Sequence, residues 1–330
     1  MINLQNDERI PSMSFIPNCT ADVVLRAAKV LKDGRLVAFP TETVYGLGAD
    51  ATNSEAVARI YSAKGRPSDH PLIVHIADMQ DMDKWAIDIP EYAIELARKF
   101  WPGPMTLVLK RSELAKDFIT GGQDTVGVRV PNQPVALALL EEFKKLGGAG
   151  VAAPSANRFG AVSPTTAEAV EEELSDYLLS EDLILDGGPS QVGVESTIID
   201  CTGSEPRILR LGAVTREMIK ATINLSVTEL NNEATIRAPG SLISHYSPKA
   251  KVLLDVVPLP GQGLIALADV ETPTGVTRIA APINIDNYAY QLYAALRTAD
   301  KLGLHEVVII QPEGEGLAKV IRDRAAKSSA

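Results

Sequence analysis

Short runs rich in Val, Ile and Leu, none longer than a strand, recur along this chain between stretches of helical periodicity. The strand-like runs fall at 36–39, 72–76, 106–109, 126–130, 183–185, 197–199 and 208–211. Helical patterns occupy 21–32, 55–64, 91–100, 134–145, 167–179 and 216–222. This alternation commits residues 1–222 to an α/β or α+β sheet fold. Residues 223–250 break the pattern. Asn231-Asn-Glu-Ala-Thr235 is polar, and Ala238-Pro-Gly-Ser-Leu-Ile-Ser-His-Tyr-Ser-Pro248 has neither strand nor helix periodicity, so the segment reads as a linker. Beyond it, strand patterns at 251–257, 263–267, 276–279 and 307–310 and helical patterns at 287–302 and 316–326 describe a second, smaller α/β domain over 251–330.

Charge and composition narrow the function. A net charge of −10 argues against a chain whose main task is to grip a phosphate backbone, so strong direct nucleic-acid binding is not expected. No apolar run approaches the length of a membrane span and the N-terminus has no secretory pattern, so a cytoplasmic protein without a membrane partner is expected. Cys19 and Cys201 lack metal-ligand spacing and read as plain thiols. Trp85 and Trp101 read as packing residues, and Glu171-Glu172-Glu173 as a solvated helix face.

The segment Lys64-Gly-Arg-Pro-Ser-Asp-His-Pro-Leu72 places two cations around a glycine just past a helical pattern. Asn53 or Ser54 suits the N-cap of that helix and Gly65 its left-handed end, in which case Lys64 complements the helix dipole and Arg66 is a turn residue. The alternative is a site, because Pro67 and Pro71 stiffen a polar loop that runs straight into a buried strand. Ala153-Pro-Ser-Ala-Asn157 adds a hydroxyl and an amide, groups suited to phosphate or adenine edges. Thr165-Thr-Ala-Glu168 has the form of a capping box, and free amides at such a start attract anions.

Arg129 lies in an apolar strand and must be paired with an acid or bind an anion; Arg207 and Arg210 flank another strand with the same two possibilities. Tyr45-Gly-Leu-Gly-Ala-Asp-Ala51 matches the dinucleotide spacing Gly-x-Gly-x-x-Ala, but a polar loop at 40–43 precedes it, and its glycines read as tight-turn residues instead. The Walker, nucleophile-elbow and zincin motifs are absent from the sequence, and nothing identifies a base for Ser155.

Phe39-Pro-Thr-Glu-Thr-Val-Tyr-Gly-Leu-Gly48, Lys64-Gly-Arg66, Trp101-Pro-Gly-Pro-Met-Thr106, Gly127-Val-Arg-Val-Pro131, Ala153-Pro-Ser-Ala-Asn157, Ser163-Pro-Thr165 and Glu195-Ser-Thr-Ile-Ile-Asp200 together resemble the YrdC family, and within it the threonylcarbamoyl-AMP synthases. Ala238-Pro-Gly240 with Ser244-His-Tyr-Ser-Pro248 resembles the linker of the long, two-domain members, and its Pro239, Gly240, His245, Tyr246 and Pro248 suit a lid that folds over the ATP site as well as a plain linker. The resemblance implies an open twisted α/β sheet curved around a central cavity, followed by a Rossmann-like C-terminal domain. It implies a nucleotidyltransferase that joins L-threonine, bicarbonate and ATP into threonylcarbamoyl-adenylate and diphosphate. The product would pass to the threonylcarbamoyl-transferase machinery that modifies tRNA at position 37.

By the same resemblance Lys64, Arg66, His70, Thr125, Ser155, Asn157, Ser163, Arg210 and Tyr246 line the ATP side, with Lys64 and Arg66 catalytic. Thr43, His75, Arg129 and Ser196 hold threonine. Mg2+ accompanies ATP, with no carboxylate cluster to name its ligands. His70 departs from the family pattern, which more often has a small polar residue there. Two other readings of such a domain are a structured-RNA-binding module, which the acidic charge weakens, and carbamoyl transfer of the hydrogenase-maturation type. The latter lacks its zinc-finger-like cysteine pairs here.

Overall fold

The computed structural model describes residues 14–16, 19–229, 236–239 and 246–330. The chain opens with β1 (Ser14–Ile16), α1 (Ala21–Lys32), β2 (Val37–Phe39), β3 (Gly46–Asp50), α2 (Ser54–Lys64) and β4 (Ile73–His75). It continues through α3 (Met82–Trp85), β5 (Ala86–Ile87), α4 (Glu91–Phe100), β6 (Met105–Arg111), α5 (Asp117–Thr120), β7 (Thr125–Arg129) and α6 (Pro134–Lys145). Next come β8 (Val151–Ala152), α7 (Ala167–Leu174), β9 (Leu183–Leu185), β10 (Thr197–Asp200), β11 (Arg207–Arg210), α8 (Arg216–Thr222) and β12 (Thr228–Glu229). The C-terminal part holds β13 (Lys251–Leu254), β14 (Gly263–Ile265), β15 (Thr277–Ala280), α9 (Ile285–Lys301), β16 (Glu306–Ile309) and α10 (Leu317–Ser328).

Local chemistry accounts for the helix ends. Asn53 caps α2 by accepting from the Glu55 and Ala56 amides, and Gly65 closes it in the left-handed region at φ 62°. Gln133 caps α6 the same way, with Pro134 in the first turn. The capping-box reading near Thr165 shifts by one residue: Thr166 accepts from the Ala169 amide, and Thr165 is buried behind it. Helix α7 also ends earlier than the periodicity suggested, passing into a single 3-10 turn at Ser175–Tyr177.

One large mixed sheet runs in the order β1-β9-β2-β3-β8-β4-β7-β6-β10-β11-β12, with β5 paired to β6 beside that path. Helices α1 and α6 cover one side of it with Val37, Phe39, Leu183 and Leu185. Residues of α2, α4, α7 and α8, with Trp85 and Trp101, fill the other core. The glycines at 46 and 48 are not turn residues but lie in β3, wholly buried, where neighbouring strands press close. A Cβ on Gly48 would stand 2.7 Å from Val151 Cγ1 and 2.8 Å from Phe39 Cε1. Inside the stretch read as linker, Thr228–Glu229 adds an edge strand to this sheet by pairing with β11.

Strands β13 to β16 form a separate parallel sheet in the order β13-β16-β14-β15. Helices α9 and α10 pack on one face, and their shared core takes in Val44, Val162, Val194 and Tyr246 from the other half of the molecule. The acidic run on α7 belongs to this junction and is not simply solvated. Glu173 pairs with Arg297 at 3.2 Å and Glu172 with Lys301 at 2.7 Å, both on α9. Cys19 and Cys201 are free thiols. Among the described residues, no helix is long and apolar enough to cross a membrane.

Candidate active site

His75, Arg129 and Arg210 are the last residues of β4, β7 and β11, and all three line one cavity. Strand ends of an open α/β sheet are where such folds place ligands. The parallel register that sets His75 opposite Arg129 puts both on the same face.

Arg129 is buried and its guanidinium is held by protein groups. It pairs with Glu42 Oε1 at 2.8 Å, donates from Nη2 to Thr43 Oγ1 at 3.0 Å, and from Nε to the Gly103 carbonyl at 3.3 Å. Of the two possibilities for a buried arginine, the acid partner is therefore present. Glu42 is in turn fixed by the Asn132 amide, which donates to Oε2 at 2.9 Å. Ser196 Oγ lies 2.8 Å from Thr106 Oγ1. Burial, with Arg129 beside it, pushes the His75 imidazole down to about 3, so the ring is neutral at ordinary pH. Its Nδ1 has no hydrogen-bond partner among the described residues.

Arg66, Ser155, Arg210 and Tyr246 line the same cavity. Arg66 is buried and donates from Nη2 to the Pro71 carbonyl at 2.9 Å, while its Nε has no hydrogen-bond partner among the described residues. Burial, with Arg210 nearby, draws the Arg66 guanidinium down to about 10, and burial also lowers Arg210. Arg210 donates from Nε and Nη2 to the Ser196 carbonyl and from Nη1 to the Pro239 carbonyl at 3.0 Å. Two like charges held out of water beside one cavity favour an anion between them. His70 is less enclosed. Its ring meets Phe159 edge-on at 5.4 Å, and the Arg66 guanidinium lies 6.0 Å from the same ring.

The remaining sequence candidates stand behind the cavity wall. Lys64 is fully enclosed, its Nζ donating to the Ser155 carbonyl at 2.6 Å and to the Asn157 carbonyl, so it ties α2 to the Pro-Ser-Ala-Asn loop. Burial, reinforced by Arg66, holds its ammonium well below the usual lysine value. Asn157 donates to the Arg158 and Ala161 carbonyls at 2.8 Å each, leaving Oδ1 buried without a partner among the described residues. Thr125 lines a smaller adjoining pocket with Thr106 and Pro239. Ser163 Oγ donates to Glu195 Oε1 at 2.7 Å.

Sequence reasoning assigned no role to Glu42 or Glu195, although both sit inside the quoted motifs. For Glu42 a signal existed, since a buried arginine demands an acid. Both carboxylates are committed to arginines, Glu42 to Arg129 and Glu195 to Arg324. Among the described residues there is no group of three His, Cys, Asp or Glu suited to a metal ion. The cavity wall therefore supplies no carboxylate set for Mg2+.

Residues 29–212 match the Sua5/YciO/YrdC family, described as telomere recombination, and residues 214–330 match the family described as the threonylcarbamoyl-AMP synthase C-terminal domain. The chain is 40% identical over 322 residues to the threonylcarbamoyl-AMP synthase of Pyrococcus abyssi, covering 92% of this chain and 93% of that protein. It is 44% identical over 236 residues to that of Bacillus subtilis, covering 70% of this chain and 66% of the relative. The crystal structure of P. abyssi Sua5 complexed with L-threonine superposes with a TM-score of 0.84 at 37% identity, over 95% of this chain and 96% of that one. With both domains matched and near-complete coverage, this chain belongs to the Sua5/YciO/YrdC family, in its two-domain form.

Proposed function

We propose that this chain is a threonylcarbamoyl-AMP synthase. It condenses L-threonine, bicarbonate and ATP into threonylcarbamoyl-adenylate and diphosphate, the first step towards threonylcarbamoyladenosine in tRNA. The observation that carries this reading is the set of cations lining one cavity: Arg129, Arg66 and Arg210, with a neutral His75 among them. Such a cavity suits a small carboxylate together with a polyphosphate.

The chemistry asks little more of the protein. Threonine's amine takes up carbon dioxide from bicarbonate, with loss of water, to form a carbamate, which is already an oxyanion nucleophile. Its oxygen attacks the α-phosphorus of ATP, the new P–O bond forms as the bond to diphosphate breaks, and diphosphate leaves with the electron pair. Positioning and charge stabilisation suffice, without a strong general base. Arg129, with Thr43, His75 and Ser196, would orient threonine. Arg66, Arg210 and Ser155 would take the nucleotide, with Lys64, His70, Thr125, Asn157, Ser163 and Tyr246 shaping its surroundings. Mg2+ would arrive on the phosphate oxygens of ATP, and no protein step is assigned to it.

Support for the reading comes from the matched family of synthase C-terminal domains and from a similar chain crystallised with L-threonine. The test is formation of the adenylate by purified protein, followed as diphosphate release and as an AMP-linked product. Product that requires ATP, threonine and bicarbonate together supports it; product or ATP cleavage indifferent to threonine contradicts it.

A further inference from the structure

Glu195 stands in the cavity wall with both carboxylate oxygens engaged. Ser163 Oγ donates to Oε1, while Tyr293 Oη and Arg324 Nε donate to Oε2 at 2.8 and 2.9 Å. Tyr293 and Arg324 come from α9 and α10, so two of these three partners belong to the C-terminal domain. Arg324 is itself wholly enclosed, donating from Nη2 to the Leu211 carbonyl at 2.7 Å and from Nη1 to Asp323. Its guanidinium lies 5.2 Å from the centre of the Tyr246 ring, which stacks on Tyr293 at 5.5 Å. This is a continuous buried path from a C-terminal helix to the wall of the cavity.

A buried carboxylate beside an anion site opposes the anion unless a cation answers it. We infer that Arg324 is a positioning residue for the nucleotide end of the cavity: through Glu195 it cancels that opposing charge and leaves Arg210 directed at the ligand. Arg210 makes no hydrogen bond to Glu195 in this structure, donating instead to Ser196 and Pro239. Without Arg324, Arg210 is the remaining cation beside Glu195 and is drawn towards it. The electrostatics agree: burial pushes the Glu195 carboxyl up, yet Arg324, then Arg210, and the hydrogen bonds from Ser163 and Tyr293 outweigh it and hold it at about 2. The inference rests on the reading of Arg66 and Arg210 as the nucleotide end. It makes the C-terminal domain part of the site and not only an attachment to it.

The test compares the full chain with Arg324→Met, Arg324→Lys, Glu195→Gln and the Arg324→Met/Glu195→Gln double variant, using calorimetry with a non-hydrolysable ATP analogue and, separately, with L-threonine. Arg324→Met is expected to weaken the analogue by at least about tenfold, with threonine affinity within about twofold of the original. Adding Glu195→Gln should restore analogue binding to within about threefold, because the unanswered charge is gone. Arg324→Lys, which keeps the charge and loses the fork, should fall between. Unchanged analogue binding in Arg324→Met, or no recovery in a double variant that melts normally, overturns the inference and leaves Arg324 a scaffold residue. Should Arg324→Met not fold, Glu195→Gln and the double variant decide: both must bind the analogue like the original, and loss in either overturns it. A wild-type chain that binds the analogue yet makes no adenylate would refute the proposed function and leave this inference standing.

Discussion

Arg129 has its guanidinium shared among Glu42, Thr43 and the Gly103 carbonyl, so an incoming carboxylate meets an arginine already oriented by its neighbours. Arg129→Lys keeps the charge but not the planar grip, and is expected to weaken threonine by at least about tenfold while ATP affinity stays within about twofold. Calorimetry with each ligand separates the outcomes, and an unchanged threonine affinity would leave only the structural pair with Glu42. The need for a partner was legible from an arginine in an apolar strand, but its identity was not, because Glu42 lies in the loop between β2 and β3, far from Arg129 in sequence, and meets it only in the folded chain. His75 supplies a second residue-scale test. Its folded-state pKa of about 3 lies below the ordinary 6.5, so the neutral ring contributes stability above 6.5 that is lost as pH falls towards 3. Between pH 6.5 and about 5, before most carboxylates titrate, the wild-type chain should lose on average about 1 kcal/mol of stability per pH unit more than His75→Gln. Denaturant midpoints across that range check it. His70, also held low by burial, is common to both proteins and cancels. Parallel pH profiles would remove His75 from the acid response.

Helix α2 and the Pro-Ser-Ala-Asn loop are joined by Lys64, which makes this lysine an architectural link behind the cavity wall. Lys64→Met should cost about 1–3 kcal/mol of stability, because two buried carbonyls lose their donor. Arg66→Met should leave the melting temperature nearly unchanged and lower adenylate formation by about 10²–10³-fold. Melting curves run beside turnover distinguish them; equal stability of both variants would mean the loop holds itself. Elements with strong patterns, such as α1, α4 and α6, were legible to the residue, since amphipathic faces act locally. Strand β3 was not, because Gly46 and Gly48 carry little strand preference and are required by the approach of Val151 and Phe39 from neighbouring strands. Strand β8, two residues long, carries too little pattern to be read at all.

At the scale of the whole molecule, the two domains share a core around Tyr246 and Tyr293 and are crossed by the Arg297–Glu173, Lys301–Glu172, Lys319–Glu229 and Arg324–Glu195 pairs. The two-domain division was legible from the break in periodicity, whereas the interface was not, since Glu171-Glu172-Glu173 looks like any exposed acidic face until α9 is placed against it. Of the segment 238–248, Pro239 and Tyr246 line the site and Ala238 the adjoining pocket, while Gly240 and His245 lie outside the described residues. The Pro239 carbonyl accepts from Arg210, and Gln123 and Gly121 hold Arg237 beside it. If this segment closes over the nucleotide, ATP plus threonine should slow hydrogen exchange at amides around Arg237 and Tyr246. Exchange indifferent to the ligands would make it a tether. The account as a whole stands on one cavity holding threonine carbamate against the α-phosphate of ATP. Its most direct test is turnover of the purified full-length chain with labelled bicarbonate, ATP and threonine. The expected result is label in an AMP-linked product with equimolar diphosphate, abolished when either threonine or bicarbonate is withheld; diphosphate release that persists without them, or product without the label, would contradict it.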